Sequence, residues 1–173
     1  YLEKVQFEKS HFQELMKYLG DRMDFLLTPF DTDSVDLCVE LGLEWIKVPS
    51  GRVTDEPFIQ YIRSKYPPER IIVSSGMLDR YQILHLKRRL PKMIWLHCVT
   101  AYPAPEEQMN LHVLRKLMFD GISDHTLSTF VPALAVACGA KIVEKHFTLS
   151  RSLPGPDQRC SLEPMELMDM VHQ

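Results

Sequence analysis

The chain has 173 residues, 45% of them hydrophobic, so it can bury a core and suits one domain. Its 20 basic and 23 acidic residues give a net charge of −3 without a basic cluster, which argues against nucleic acid and anionic membranes as partners. No apolar run approaches the ~20 residues of a membrane span, and the four cysteines lack CxxC spacing, so we expect a cytoplasmic protein with reduced thiols.

Apolar runs alternate with amphipathic segments along the whole chain. Ser10 and Gln13 predict a capping box for a first helix that ends before Gly20. Asp79 is predicted to cap a later, basic helix. The elements that follow the first helix are, in order, a strand at 25–27, a helix at 35–41, a strand at 45–48, a helix at 57–66, a strand at 71–73, a helix at 79–90, a strand at 93–96, a helix at 111–118, a strand from 121, a helix at 130–138, a strand at 140–143 and a helix at 164–171.

The six predicted strands are short apolar runs without polar alternation, as expected for a parallel sheet buried on both faces. Strict alternation of strand and helix favours a (β/α)8 TIM barrel, of which about six of the eight units would be present. The alternative is an open, doubly wound parallel sheet, although no glycine-rich nucleotide loop follows the first strand.

Residues with reactive side chains follow each predicted strand. In a barrel these strand ends form the active site. The ends carry Thr28, Lys47 with Ser50, Ser74 with Ser75, Thr100, Ser123 with His125, and His146. A lysine and hydroxyls that converge with turn amides suit a phosphate. Any single Ser or Thr among them is also explained as a turn or cap residue.

His125 and His146 end two successive strands joined by one helix, which makes the strands parallel neighbours. Neighbouring strands lie roughly 4.8 Å apart, so the two imidazoles could share one metal ion. The alternative is a pair of structural histidines, and the spacing does not decide between them.

Seven segments, in order, resemble one known family. They are FLLTPFD at 25–31, KVPSG at 47–51, SGM at 75–77, HC at 97–98 with YP at 102–103, SDHT at 123–126, EKHFT at 144–148, and GPD at 155–157 with SLEP at 161–164. Over nearly all of residues 1–173 the chain is similar to the sialic acid synthase family, that is, N-acetylneuraminate synthases and their legionaminate, pseudaminate and spore-coat polysaccharide relatives.

The resemblance implies a metal-dependent condensation of phosphoenolpyruvate with an N-acetylated aminosugar, with release of phosphate. It assigns a divalent metal, Mn²⁺ or Mg²⁺, to His125 and His146. It assigns phosphoenolpyruvate to Lys47, Ser50, Ser74 and Ser123, with Thr28 nearby, and the sugar to Tyr102 and Asp157. We therefore take Lys47, His125 and His146 as the expected catalytic residues.

The chain departs from the family pattern in four ways. The family's first two strands and its C-terminal antifreeze-like domain are absent, so residues 1–173 are expected to be part of a catalytic barrel whose parent is a homodimer. Such a fragment is expected to be inactive in isolation. Arg52 stands where sialic acid synthases usually have a glutamate, and Thr100 where many members have asparagine. Both positions bear on the choice of acceptor sugar.

One hypothesis comes from strand alternation together with the side-chain layers that alternate strands share inside a barrel. Glu144 and His146 share a face of one strand, and Lys47 faces inward on another strand. We expect a buried Glu144–Lys47 pair that keeps the lysine charged for phosphate. The alternative is that Glu144 contacts backbone or water instead.

Two other functions remain open on the sequence. One is a metal-dependent aldolase or deoxysugar-phosphate synthase on a related barrel, and the other is a non-catalytic barrel fragment. Release of phosphate rather than pyruvate would separate the first of these from a synthase of sialic type.

Overall fold

The computed structural model describes residues 6–173, in which five strands form one parallel sheet in sequence order. The strands are β1 (Ile46–Val48), β2 (Ile71–Ser74), β3 (Ile94–Cys98), β4 (Gly121–Asp124) and β5 (Ile142–Lys145). The helices are α1 (Lys9–Leu19), α2 (Thr32–Glu40), α3 (Glu56–Lys65), α4 (Arg80–Arg89), α5 (Val113–Lys116), α6 (Phe130–Ala137) and α7 (Pro164–His172). None of the described helices is long and apolar enough to cross a membrane.

Five of the six predicted strands are confirmed, and the strand predicted at 25–27 is wrong. Leu27 forms a single bridge to Ile46, and its carbonyl accepts a hydrogen bond from the Lys47 amide at 3.2 Å. Pro29, which has no N–H to donate, follows two residues later. The segment therefore runs beside β1 for one residue pair without becoming a strand.

Two helix predictions also need correction. The capping box of α1 is formed by Glu8 and His11, not by Ser10 and Gln13, so the helix begins at Lys9. Helix α5 is half the predicted length because Asn110 and Met118 adopt positive φ angles of 46° and 52°, outside helical geometry. The cap at Asp79 is confirmed, and its carboxylate accepts from the Gln82 amide at 2.8 Å.

The sheet is strongly curled. Strands β1 and β5 are its two outer strands, and in a flat sheet four strand spacings would separate them by about 19 Å. The Lys47 ammonium on β1 nevertheless lies 3.2 Å from the Glu144 carboxylate on β5. The face that carries these two residues is therefore concave, and we call it the concave face.

The opposite, convex face is covered by helices and holds much of the hydrophobic core. Strand residues Ile46, Val73, Trp95 and Ile122 are at most 1% exposed there, and they belong to one cluster with helix residues such as Ile62. Strand β5 is only half-buried, whereas β1, the other outer strand, is buried with the Leu27 segment beside it. The protein is thus a parallel α/β structure whose sheet is the arc of a half-barrel; the described residues do not form eight strands.

The contact between β4 and β5 gives the first prediction. A Cβ on Gly121 would lie 2.0 Å from the Ile142 carbonyl oxygen, so any side chain there must push the two strands apart. We expect Gly121→Ala to lower the unfolding free energy by about 2–3 kcal/mol, measured by urea denaturation. Gly51→Ala is the control, because its Cβ would meet nothing within 4 Å, and it should change stability by less than about 0.5 kcal/mol. Equal effects of the two variants would contradict the close approach.

Candidate active site

The pairing register places five polar or thiol side chains on the concave face. Cys98 pairs with Ser123, and Ser123 pairs with Glu144, so these three lie in one row across β3, β4 and β5. Ser74 and Lys47 lie on the same face of β2 and β1 by alternation. Because the strands are parallel, this row lies near the carboxyl ends of the strands.

A hydrogen-bonded chain connects four of the predicted site residues or their partners. Lys47 Nζ lies 3.2 Å from Glu144 Oε1, and the Ser123 hydroxyl donates to Glu144 Oε2 at 2.6 Å. The Ser74 hydroxyl lies 2.7 Å from that of Ser123. The predicted Glu144–Lys47 pair is confirmed, although Glu144 is less buried than expected: its side chain is 38% exposed, against 11% for Lys47.

The buried His125 side chain has a defined tautomer. Its Nδ1 lies 2.8 Å from the Val99 carbonyl oxygen, which can only accept, so Nδ1 carries the proton and Nε2 keeps a free lone pair. Burial lowers the pKa of His125, and the neighbouring His146 lowers it further against the opposing effect of the Val99 bond. The imidazole is therefore neutral at pH 7 and offers Nε2 as a ligand.

The second histidine lies beside the first. The ring centroids of His125 and His146 are 5.2 Å apart, and the rings are inclined at 66°. The ring of Tyr102 lies over His125 at 4.1 Å and edge-on to His146 at 5.9 Å. An Asp157 carboxylate oxygen lies 3.9 Å from His146 Nδ1. The structure thus brings together four residues that the sequence predicted from separate motifs.

Ser50 and Thr100 meet at Gly76. The Gly76 amide donates to the Ser50 hydroxyl at 3.1 Å, and a Cβ on this glycine would lie 2.4 Å from Thr100 Cγ2. Cys98 links this cluster to the histidines, because its Sγ lies 3.7 Å from Ser50 Oγ and 3.9 Å from His125 Nδ1. Burial raises the pKa of Cys98, so the thiol is neutral at pH 7.

Two predicted site residues lie apart from these contacts. The Arg52 guanidinium lies 3.1 Å from Asp55 and packs over the Phe58 ring at 4.5 Å. Its Nε is buried, and no hydrogen-bond partner for it is present among the described residues. Thr28 directly follows the residue bridged to β1, and within residues 6–173 no hydrogen bond joins it to the other predicted site residues.

A buried ion pair on the convex face joins the two strands that carry the histidines. Lys145 Nζ lies 2.6 Å from Asp124 Oδ2, and their side chains are 3% and 0% exposed. The ammonium also donates to the carbonyl oxygens of Thr126 and Ser128 at 2.5 and 3.2 Å, while Asp124 accepts from the Thr126 amide at 2.8 Å. Each partner immediately precedes a histidine in the sequence, so the pair fixes β4 and β5 at the start of both histidine loops.

The sequence analysis did not predict the contacts that Asp124, Lys145 and Cys98 make beside the candidate site. Strand alternation could have placed Cys98 on the concave face, since Cys98 is two residues beyond the inward-facing Leu96. It could not have paired Asp124 with Lys145, because that contact depends on the register between two strands. A sequence offers no signal for register across a helical crossover.

Known proteins are similar to this chain throughout its length. The model of the NeuB family matches residues 1–173. The N,N'-diacetyllegionaminic acid synthase of Legionella pneumophila is 37% identical, and the match covers 95% of this chain and 49% of that protein. The N-acetylneuraminate-9-phosphate synthase of Homo sapiens is 33% identical, with 96% and 49% covered. The chain spans about half the length of the curated relatives it matches.

Solved structures are also similar to this chain over nearly its whole length. An N-acetylneuraminic acid synthetase from Leptospira borgpetersenii, in complex with citrate, superposes with a TM-score of 0.86 at 31% identity, covering 96% of this chain and 61% of that one. A truncated 3-deoxy-D-arabino-heptulosonate 7-phosphate synthase from Thermotoga maritima has a TM-score of 0.72 at 12% identity, covering 97% and 71%. The second likeness is one of fold alone.

The Asp124–Lys145 pair gives the second prediction. Lys145→Met would leave a buried carboxylate without its cation, and Asp124→Asn would leave a buried ammonium without its anion. We expect each to lower the unfolding free energy by about 3–5 kcal/mol, and the double variant by less than the sum of the two.

The matched control is Lys9→Met, which removes an exposed ion pair to Glu40 of similar length, 2.7 Å. It should cost no more than about 1 kcal/mol. Strict additivity of the two buried substitutions in denaturant unfolding would contradict a direct interaction between them.

Proposed function

The chain belongs to the NeuB family, and on this premise we propose that the complete protein condenses phosphoenolpyruvate with an N-acetylated aminosugar. The products are a nonulosonic acid of sialic type and phosphate. The observation that carries the proposal is the row of Lys47, Glu144 and Ser123 one layer below a pair of histidines. Ser123 and Glu144 each lie two residues before a histidine that directly follows the end of the strand, and the two histidine rings lie 5.2 Å apart, so both layers are placed at the carboxyl ends of β4 and β5.

Phosphoenolpyruvate occupies the deeper layer in this proposal. Lys47 supplies a cation, and the hydroxyls of Ser50, Ser74 and Ser123 rotate away from their present acceptors Cys98, Ser123 and Glu144 to donate to its phosphate and carboxylate oxygens, with Thr28 at the rim. Glu144 already neutralises Lys47 before substrate arrives, and it accepts from Ser123. The pair therefore holds the lysine in one position, so that little reorganisation is needed when an anion binds.

The histidines fit a divalent cation such as Mn²⁺ or Mg²⁺. His125 donates through Nδ1 to a backbone carbonyl, the arrangement that orients a metal-binding imidazole and leaves Nε2 free. His125 and His146 would hold the ion, which when bound would polarise the aldehyde oxygen of the open-chain sugar. Tyr102 packs over His125, keeps solvent from one face of the ring and offers its hydroxyl to the sugar.

The sugar lies between Tyr102, Asp157 and Thr100. The methylene carbon of phosphoenolpyruvate bonds to the aldehyde carbon, and water adds at the phosphate-bearing carbon while a proton passes to the new sugar alkoxide. Phosphate then leaves by cleavage of the bond between that carbon and its bridging oxygen, takes up the proton of the added hydroxyl, and leaves a ketone. Serine hydroxyls and Lys47 stabilise the charge that develops on the departing phosphate. Arg52 is proposed at the outer rim of the acceptor site.

We further propose that the rest of the protein completes a (β/α)8 barrel. Strand β5 is half-buried and has a free edge in the described structure, and an unpaired parallel edge needs covering. Two additional strands between β5 and the Leu27 segment would supply it. The complete enzyme is proposed to be a cytoplasmic homodimer with an antifreeze-like domain, and this half-barrel alone to be inactive.

The third prediction tests the reaction. His125→Ala and His146→Ala in the full-length protein should each lower manganese-dependent release of phosphate from phosphoenolpyruvate at least about 100-fold, because the developing charge loses its stabilisation. Phosphate and pyruvate should both be assayed, with Mn²⁺ binding followed by electron paramagnetic resonance.

The control is His85→Ala, an exposed histidine on α4, which should retain activity. Turnover near that of the parent enzyme in either histidine variant, with Mn²⁺ still bound, would refute the pair. Production of pyruvate in place of phosphate would point to an aldolase instead.

The fourth prediction concerns Arg52 and the acceptor. Replacing a five-donor cation with an acceptor-only glutamate should change the ratio of kcat/KM for N-acetylmannosamine and a doubly N-acetylated deoxy-sugar by about tenfold or more. The assay is the full-length Arg52→Glu variant with both sugars.

Arg70→Glu is the matched control. Arg70 also pairs with a carboxylate, Glu44 at 3.4 Å, and packs over an aromatic ring, Trp45 at 4.5 Å, but it precedes β2 at the other end of the sheet. An unchanged ratio for Arg52→Glu would mean that Arg52 has no part in the choice of acceptor and that its contacts with Asp55 and Phe58 are its only role.

A further inference from the structure

The loop after β5 returns to the end of that strand. The Leu162 amide donates to the His146 carbonyl at 2.9 Å, and the Thr148 amide donates to the Leu162 carbonyl at 3.0 Å. This pairing holds the short helical turn at Gln158–Cys160 beside His146. One potential ligand atom from each of His146, Asp157 and Cys160 then lies within 4.8 Å of the other two.

The three donors form a chemically mixed set. An imidazole nitrogen, a carboxylate oxygen and a thiolate sulfur together suit zinc, cobalt(II) or iron(II), whereas Mn²⁺ and Mg²⁺ favour oxygen donors. Three protein ligands leave a fourth position for water, as in open zinc sites. The proposed His125–His146 site contains no sulfur, so the two ligand sets differ in the metals they select.

Burial, together with the nearby Asp157 charge, raises the pKa of Cys160, so the thiol keeps its proton until a metal ion displaces it. Its Sγ is buried and donates to the Asp157 carbonyl at 3.1 Å. That carbonyl also accepts from the Ser161 hydroxyl at 2.8 Å and from the Cys160 amide at 3.1 Å. When a metal ion takes the place of the thiol proton, that carbonyl therefore keeps two donors. His146 and Asp157 are partly exposed, with side chains 29% and 59% accessible, so solvent reaches two of the three ligands.

We propose that His146, Asp157 and Cys160 form a binding site for a thiophilic divalent ion of the zinc class. Binding forms a metal–sulfur bond and releases the thiol proton to solvent. Since His146 is common to both ligand sets, an ion held by this triad excludes the ion held by His125 and His146. The triad itself stands on its own geometry; only the exclusion rests on the proposed function.

Cobalt(II) is the probe, because a cobalt–thiolate bond gives a near-ultraviolet charge-transfer band that nitrogen and oxygen ligands do not give. Metal-free, full-length protein titrated with Co²⁺ should show this band. Cys160→Ser should abolish it, and His146→Ala and Asp157→Asn should weaken Co²⁺ binding by at least about tenfold. His125→Ala should keep the band, because His125 is outside the triad.

Two further cysteines serve as controls. Cys138 follows α6, which runs antiparallel to the strands and so ends at the opposite edge of the sheet; Cys138→Ser should keep the band. Cys98 lies 3.9 Å from His125, so loss of the band in Cys98→Ser but not in Cys160→Ser would overturn the assignment. Absence of the band in the parent protein would also overturn it. Circular dichroism confirms that each variant is folded.

The exclusion has its own measurement. Zn²⁺ should inhibit manganese-supported phosphate release, and Cys160→Ser should need at least about tenfold more Zn²⁺ for the same inhibition while keeping its turnover. Equal sensitivity of the two proteins would refute the exclusion. A cobalt–thiolate band in a protein without synthase activity would refute the proposed function and support the triad. Synthase activity without the band would support the proposed function and refute the triad.

Discussion

The ion pair between Lys47 and Glu144 joins the two outer strands of the sheet across its concave face. It can form only because the sheet curls, and the other contacts of the candidate site require the same curvature. The Ser74 and Ser123 hydroxyls lie on strands that are not neighbours, yet they are within hydrogen-bond distance. In a flat sheet each of these side chains would face solvent separately. Curvature therefore turns residues dispersed over about 100 positions of sequence into one polar surface.

Alternation along strands β4 and β5 places the candidate site residues on the concave face and the stabilising ion pair on the convex face. Ser123 and Glu144 point to the concave face, whereas Asp124 and Lys145 form a buried pair on the other. The two pairs are formed by adjacent residues in the same strands, so their positions cannot vary independently. A shift of register by one residue would exchange the two sets of side chains and place the buried carboxylate in the site.

Much of this arrangement could be predicted from the sequence. The apolar runs at β1 to β5 identified five strands, and parallel topology then put Lys47, Ser123 and His146 at one edge. Alternation, together with the shared side-chain layers of a barrel, paired Glu144 with Lys47. The strand prediction at 25–27 was wrong because a strand is defined by its partner as well as by its own residues. Leu27 pairs with β1 at a single bridge only. Asp124 and Lys145 were missed because charged residues in a short strand are typical of solvent exposure, and only the fold removes both from water. The roles of all the predicted site residues, Thr28 and Arg52 among them, stay predictions.

The packing of Trp95 on the convex face has a spectroscopic consequence. Trp95 is 1% exposed among helix residues, and Trp45 lies beneath Arg70 at the start of β1, so both indoles are remote from the carboxyl ends of the strands. Intrinsic tryptophan fluorescence will therefore report the integrity of the helix-covered layer and not the occupancy of the concave face. Tyr102, whose ring lies 4.1 Å from that of His125, is the native chromophore that senses what enters there. Because the chain has six tyrosines, a change in tyrosine absorbance is assigned to Tyr102 by its absence in Tyr102→Phe.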